Sequence, residues 1–199
     1  MKLNLPNKIS LIRICMIPAF IAVFLCAFSG NYIVAAAIFA LAAATDFLDG
    51  YIARKYKLVT NLGKFLDPIA DKVLVATAFI LMLTAKENLF SVFGQASEVI
   101  YVTVAVCVCL ILARELIISA FRQIAAANGV VLAAEKLGKY KTVFQDACIV
   151  VLLVSANVSG VAGQIIAWFG LGVFAIATVL TVVSGVSYVV KNKQVLTDA

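Results

Sequence analysis

The sequence predicts an all-α integral membrane protein with six transmembrane helices and both termini in the cytoplasm. Of the 199 residues, 64% are hydrophobic and 13% are charged, and the mean hydropathy is +1.11. Soluble domains carry about twice that share of charged residues. The apolar residues form runs of about 20, the length that crosses a bilayer as a helix. Basic residues gather near the ends of these runs, which orients the bundle.

Six apolar runs define the predicted helices, and polar turns separate them. The first run ends at the Ser-Gly-Asn turn of residues 29–31, and the fourth ends near Asn128. No long polar linker or internal repeat divides the chain, so we expect one domain that covers residues 1–199. The predicted helices are 10–28, 32–55, 62–85, 99–126, 139–156 and 164–190.

The distribution of Lys and Arg predicts the orientation of these helices. All 16 basic residues except Lys86 lie near one face, and the turns at 29–31 and 157–163 carry no charge. Because basic residues concentrate on the cytoplasmic side, we expect a multi-pass protein of the cell (inner) membrane whose functional site faces the cytoplasm. The net charge of +6 follows from this asymmetry and suits anionic lipid headgroups, so we do not interpret it as nucleic-acid binding.

The residue types that the sequence lacks limit which side chains can catalyse a reaction or bind a metal ion. The chain has no histidine, which excludes histidine acid–base catalysis and histidine metal ligands. Its five cysteines lie in apolar runs without a CxxC pair, and we interpret them as small buried hydrophobic residues. The carboxylates are therefore the main candidates for catalysis and for metal binding.

Four aspartates interrupt the apolar sequence where the second helix ends and the third begins. Asp46 and Asp49 are three residues apart, and Asp67 and Asp71 are four apart, so each pair shares one helix face. The two helices are antiparallel neighbours, and their acidic faces can meet. Ionised carboxylates in hydrocarbon are costly and need cations. Oxygen-only ligands favour Mg²⁺ or Mn²⁺, and two ions about 4 Å apart would suit phosphoryl transfer.

Small residues and one arginine accompany these aspartates. Gly50 and Ala53 lie next to Asp49 or one turn from it, and Gly63 lies one turn before Asp67. Their small side chains leave room for a bulky ligand at the helix surface. Arg54 supplies a fixed positive charge for a phosphate group or for one of the carboxylates. The alternative is that these charges form ordinary ion-paired helix ends near water.

The aspartate segment resembles the signature of the CDP-alcohol phosphotransferase family. The pattern is Asp46-x2-Asp49-Gly50-x2-Ala53-Arg54-x8-Gly63-x3-Asp67-x3-Asp71, and every signature position matches. Three further segments, 4–14, 114–123 and 135–145, are similar to those of the phosphatidylglycerophosphate synthases within that family. The six-helix prediction agrees with the fold of the family, and the resemblance suggests a homodimer.

The resemblance implies a reaction and a role for each signature residue. CDP-diacylglycerol and sn-glycerol 3-phosphate would give phosphatidylglycerophosphate and CMP. Asp71 would be the general base and would also lie near the second metal ion. The implied metal ligands are Asp46, Asp49, Asp67 and Asp71, and the implied CDP-diacylglycerol pocket consists of Gly50, Ala53, Arg54 and Gly63.

A phosphorylated acceptor would need its own basic pocket. Arg114 lies deep in an apolar run, where an arginine is expected to face a polar cavity. Lys139 is near a predicted helix N-terminus, which favours anions. The alternative for these side chains is positive-inside charge or contact with lipid headgroups. The candidate acceptor-phosphate residues are Arg114, Arg122, Lys136, Lys139 and Lys141.

Two other functions stay open at this point. The aspartate signature does not distinguish glycerol 3-phosphate from other acceptors, such as inositol phosphate, serine or phosphatidylglycerol. A cation transporter would also place acids in membrane helices. Transport sites tend to lie near the bilayer midplane on broken helices, whereas these acids gather at one face and no polar path continues across the predicted helices.

Overall fold

The computed structural model describes residues 5–55, 61–127 and 136–195, with the side chains of all of them except 5–6, 47–55, 61–62, 64–68, 127 and 136. Six long helices pass through these ranges, accompanied by shorter helical turns. The elements are α1 (Leu5–Leu25), α2 (Asn31–Lys55), α3 (Asn61–Thr84), α4 (Lys86–Leu89), a 3₁₀ helix (Ser91–Ala96), α5 (Ser97–Ala127), α6 (Lys136–Ser155), α7 (Gly160–Lys191) and a second 3₁₀ helix (Lys193–Val195).

The long helices agree with the predicted ones. The six predicted segments correspond to α1, α2, α3, α5, α6 and α7, and the described ranges contain no β-strand. The all-helical prediction is therefore confirmed for this part of the chain. Three segments there are long and apolar enough to cross a membrane, and a shorter apolar stretch covers Asn31–Asp46. The three are Asn7–Leu25, Ser91–Ala126 and Gly160–Lys191.

Helix boundaries differ from the prediction where polar residues are buried. α1 begins at Leu5, about one turn before the apolar run, and its early residues Asn7 and Ser10 are 4% and 0% exposed. Packing against neighbouring helices orders such a turn although its hydropathy is low. Between α3 and α5 the chain forms α4 and a 3₁₀ helix, which bends at Gly94 with φ of +59°. That positive φ favours glycine.

Contacts between helices position the helices that carry the charged residues. α6 packs most extensively against α7, α1 packs against α2 and α3, and α2 also packs against α6. Aromatic contacts join α1 to α2 and α3 to α7: the ring centroids of Phe20 and Phe39 are 6.0 Å apart, and those of Phe79 and Phe174 are 5.9 Å apart. This packing holds α1, α2, α3 and α6 together, and Asp46 and Asp71 lie on two of these helices.

Lys86, the basic residue predicted to lie away from the cytoplasmic face, has an acidic partner. Its Nζ lies 2.5 Å from Glu98 Oε2 and 5.0 Å from the centre of the Tyr101 ring. The hydrogen bond to Glu98 raises the pKa of Lys86. The pair is largely exposed, so it keeps this lysine protonated without contributing much to stability.

Close contact between α6 and α7 depends on a glycine. A Cβ atom at Gly170 would lie 2.8 Å from Leu152 Cδ2 and 3.1 Å from Val151 Cγ1. At Gly172, on the same helix, such an atom would have nothing within 4 Å in the described part of the chain. Substituting either glycine with alanine gains the same helix propensity. Only the Gly170 substitution overfills the interface.

We predict that Gly170→Ala is less stable than Gly172→Ala by about 1–3 kcal/mol, the usual cost of overpacking a core. Unfolding of both variants in the same detergent measures this difference directly, since the propensity terms cancel. Equal stability would contradict the close packing of α6 on α7 at this position.

Candidate active site

Charged side chains from α2, α3, α5 and α6 come close enough in the bundle to interact. Asp71 and Asp146 are each about 15 Å along the helix axis from the beginning of α3 and α6. Asp71 is half-buried and interacts electrostatically with Asp46, Lys141 and Glu115. The fold thus brings together residues that are up to about 100 positions apart in sequence.

Asp46 is held by an arginine from the first helix. The Arg13 side chain is fully buried, and its Nη1 donates a 2.7 Å hydrogen bond to Asp46 Oδ1. Its Nε donates to Thr45 Oγ1 at 3.2 Å, and that hydroxyl donates to the Ala42 carbonyl at 2.6 Å. An arginine fixed at two points orients the carboxylate strongly. The pairing gave no sequence signal because it joins residues that are 33 positions apart.

Part of the predicted metal set lies outside the described side chains. Asp49, Gly50, Ala53 and Arg54 lie on α2 and Asp67 lies on α3, but their side chains are not described. Gly63 is buried on α3. Among the described side chains, no three potential ligands form a metal-binding group.

The available donors nevertheless fit a hard divalent cation. Asp46 and Asp71 supply carboxylate oxygens, and Asp146 of α6 interacts electrostatically with both. Asp146 Oδ1 is buried and has no hydrogen-bond partner in the described residues. A buried carboxylate oxygen without a donor is costly, which a cation would relieve. Oxygen donors without nitrogen or sulfur suit Mg²⁺ or Mn²⁺.

Glu115 is the centre of an ion-pair network on α5. Lys141 of α6 donates to Glu115 Oε1 at 2.5 Å, and Arg114 donates to the same oxygen at 3.1 Å. The Lys72 ammonium of α3 donates to Ser119 Oγ, which in turn donates to the Glu115 carbonyl at 2.6 Å. Three helices are therefore joined through one acidic residue and its backbone.

The candidate acceptor residues divide into two groups. Arg114 Nη2 donates to Ser184 Oγ at 2.9 Å, and a Cβ atom at Gly185 would lie 2.9 Å from Arg114 Cγ. Arg122 donates to the Tyr188 hydroxyl at 3.1 Å and lies over that ring. Both arginines therefore pack against α7. Lys141 faces the space between α3, α5 and α6, Lys139 is exposed, and the side chain of Lys136 lies outside the described set.

A cavity of about 230 Å³ lies between α3, α5 and α6. Its polar lining consists of side chains from all three helices, and the rest of the lining is apolar. This combination suits a ligand with a few polar groups next to an apolar environment. The polar residues that line it are Asp71, Lys72, Glu115, Lys141, Thr142 and Gln145.

Three residues of this region were not singled out by the sequence. Lys72 directly follows Asp71, but in sequence it is one of many basic residues near the same face. Gln145 and Asp146 interrupt the apolar run of α6. Polar residues within a membrane helix are a usable signal of function, and this signal would have found both.

Comparison with known proteins identifies the family. A family model described as CDP-alcohol phosphatidyltransferase matches residues 3–183. The chain belongs to the CDP-alcohol phosphatidyltransferase family. The resemblance that the aspartate signature predicts is therefore confirmed, and the match spans α1 to α6 and most of α7.

Several similar members of the CDP-alcohol phosphatidyltransferase family are named CDP-diacylglycerol–glycerol-3-phosphate 3-phosphatidyltransferase. The Rickettsia felis protein is 38% identical over 190 residues, which cover 93% of each chain. The Bacillus subtilis protein is 36% identical over 209 residues, which cover 97% of each chain. The Salmonella typhimurium protein is 35% identical over 190 residues, which cover 94% of each chain.

Proposed function

We propose that this protein transfers the phosphatidyl group of CDP-diacylglycerol to sn-glycerol 3-phosphate, giving phosphatidylglycerophosphate and CMP. The observation that carries the proposal is the near full-length similarity to relatives that bear this enzyme name. The position of Asp71 and Lys141 around one cavity supports it, since a base and a phosphate-binding cation are both required.

The metal-binding residues would be Asp46, Asp49, Asp67 and Asp71. Two Mg²⁺ or Mn²⁺ ions bound there would neutralise the pyrophosphate and stabilise the leaving CMP. Arg13 holds one oxygen of Asp46 in place, so that the carboxylate keeps a fixed orientation. Gly50, Ala53, Arg54 and Gly63 would form the pocket for the cytidine diphosphate group of the donor.

Asp71 would act as the general base. It accepts the proton of the acceptor hydroxyl, and the hydroxyl oxygen forms a bond with the phosphorus of the phosphatidyl group. The bond from that phosphorus to the CMP oxygen breaks, and CMP leaves with the electron pair. Because the chain has no histidine, a carboxylate is the natural group for this role.

The acceptor phosphate would bind to the basic residues Arg114, Arg122, Lys136, Lys139 and Lys141. Lys141 has the most direct support, because it lines the same cavity as Asp71. Arg114 would act through Glu115, which contacts both cations. Glu115 keeps the positive charge of Lys141 balanced when no phosphate is present.

We further propose a single domain over residues 1–199 with six membrane spans and both termini in the cytoplasm. The active site would face the cytoplasm at the inner (cell) membrane, and the protein would form a homodimer. This placement would let a lipid-anchored donor meet a water-soluble acceptor, since the charged residues gather at one end of the helices.

The experiment that tests this function is CMP release by the purified protein in detergent. CDP-diacylglycerol, Mg²⁺ or Mn²⁺, and one acceptor at a time are supplied. We expect release that requires glycerol 3-phosphate and stops with EDTA. Release only with inositol phosphate, serine or phosphatidylglycerol would overturn the assignment of glycerol 3-phosphate as the acceptor. No release with any acceptor would overturn the enzyme proposal and favour an ion pathway.

A further inference from the structure

Gln145 of α6 is a buried polar residue with an unused hydrogen-bond acceptor. The residue is 2% exposed, and its Oε1 atom has no hydrogen-bond partner among the described residues. The residue lines the cavity between α3, α5 and α6 together with Asp71 and Lys141. Buried amide oxygens are nearly always paired, so an unpaired one beside a cavity points to a bound partner.

The donors that line the cavity beside Gln145 are directed at other groups. The Lys141 ammonium donates to Glu115, and the Lys72 ammonium donates to Ser119. The Thr142 hydroxyl donates to the Gly138 carbonyl at 3.2 Å. None of these groups donates to Gln145 Oε1, and an amide oxygen only accepts, so a partner that enters the cavity has to bring a hydrogen-bond donor.

The chemistry of the acceptor identifies which group supplies that donor. A phosphate dianion only accepts hydrogen bonds, so it pairs with ammonium groups rather than with an amide oxygen. A hydroxyl group donates one. Glycerol 3-phosphate carries two hydroxyls, and the reacting one must give its proton to the base. The other hydroxyl remains available for Gln145.

We propose that Gln145 accepts a hydrogen bond from the non-reacting central hydroxyl of glycerol 3-phosphate and thereby selects a diol acceptor. This assignment rests on the proposed function. Lys141 would hold the phosphate, Gln145 the central hydroxyl, and Asp71 would face the terminal hydroxyl that attacks. Three points of contact fix the acceptor in one orientation, which is how a site positions a nucleophile.

The test compares two acceptors in two proteins. The acceptors are glycerol 3-phosphate and 3-hydroxypropyl phosphate, which lacks the central hydroxyl but keeps the phosphate and the reacting group. We expect the native chain to prefer glycerol 3-phosphate by about 10- to 100-fold in kcat/KM, because the analogue leaves Gln145 unpaired. Gln145→Met keeps the length of the side chain without its acceptor. We expect it to lose most of this preference while changing the value for the analogue little.

Ser155→Ala is the matched control on α6. Ser155 is also buried, and its hydroxyl donates to the Leu152 carbonyl at 2.7 Å, far from the cavity. We expect this variant to keep the native preference, and the KM for CDP-diacylglycerol should be the same in all three proteins. These readouts separate selection of the acceptor from a general loss of structure.

The outcomes distinguish this inference from the proposed function. Equal losses with both acceptors in Gln145→Met would make Gln145 a packing residue and overturn the inference. A native chain that uses both acceptors equally well would also overturn it, and that result does not depend on any variant folding. A native chain that is active only with acceptors other than these two would instead refute the proposed function.

Discussion

Asp71→Asn is expected to abolish turnover while leaving the fold and the binding of CDP-diacylglycerol intact. Asparagine has nearly the same shape as aspartate, but its amide cannot accept the proton of the acceptor hydroxyl. Loss of a general base alone lowers the rate by about 10²- to 10⁴-fold. Asp71 is also a proposed metal ligand, so the loss should reach at least the upper part of that range.

CMP release at saturating glycerol 3-phosphate measures this effect, and binding of CDP-diacylglycerol is measured separately. Glu87→Gln is the matched control, since Glu87 is an exposed acid of α4 beside the end of α3 opposite its aspartates. It should retain native activity. Activity near the native level in Asp71→Asn would remove Asp71 from the role of base.

The helical architecture could be predicted because hydropathy dominates it. Runs of about 20 apolar residues have few alternatives in a membrane, where backbone groups must be satisfied within the helix. Hydropathy did not predict the short α4 or the 3₁₀ helix at 91–96. Leu89, Phe90 and Phe93 are buried there, and such a segment is ordered by tertiary contacts rather than by length.

The site could be predicted only where its residues are close in sequence. Helical spacing relates Asp46 to Asp49 and Asp67 to Asp71, so the two acidic faces were visible from the sequence. Contacts between distant helices were not, because no spacing rule joins Arg13 to Asp46 or Lys141 to Glu115. The placement of Arg114 against Ser184 depends equally on how α5 and α7 pack.

Breaking the ion pair between Glu115 and Lys141 is expected to lower the stability of the protein strongly. The Lys141 side chain is 7% exposed and that of Glu115 is 17% exposed. Removing one member of a buried pair leaves an uncompensated charge and costs about 3–5 kcal/mol. We expect Glu115→Gln to be strongly destabilised. Lys141→Met should lose less stability, because Arg114 still pairs with Glu115.

The double variant Glu115→Gln/Lys141→Met separates stability from function. Removing both charges should restore much of the stability that Glu115→Gln loses, with a coupling of about 1–3 kcal/mol between the two positions. The KM for glycerol 3-phosphate should remain above the native value in the double variant, as in Lys141→Met, because the phosphate-binding cation is absent from both. Unfolding in detergent and acceptor kinetics of the three variants measure the two effects independently.

Lys139→Met is the control for stability, since Lys139 is an exposed lysine two residues before Lys141. It should unfold like the native protein. If the double variant is as unstable as the two single losses added together, the pair is not coupled in the folded protein. If the double variant is stable and its KM for glycerol 3-phosphate is native, Lys141 stabilises the fold but does not bind the acceptor. The acceptor phosphate must then bind to Lys136, Lys139 or the arginines that pack against α7.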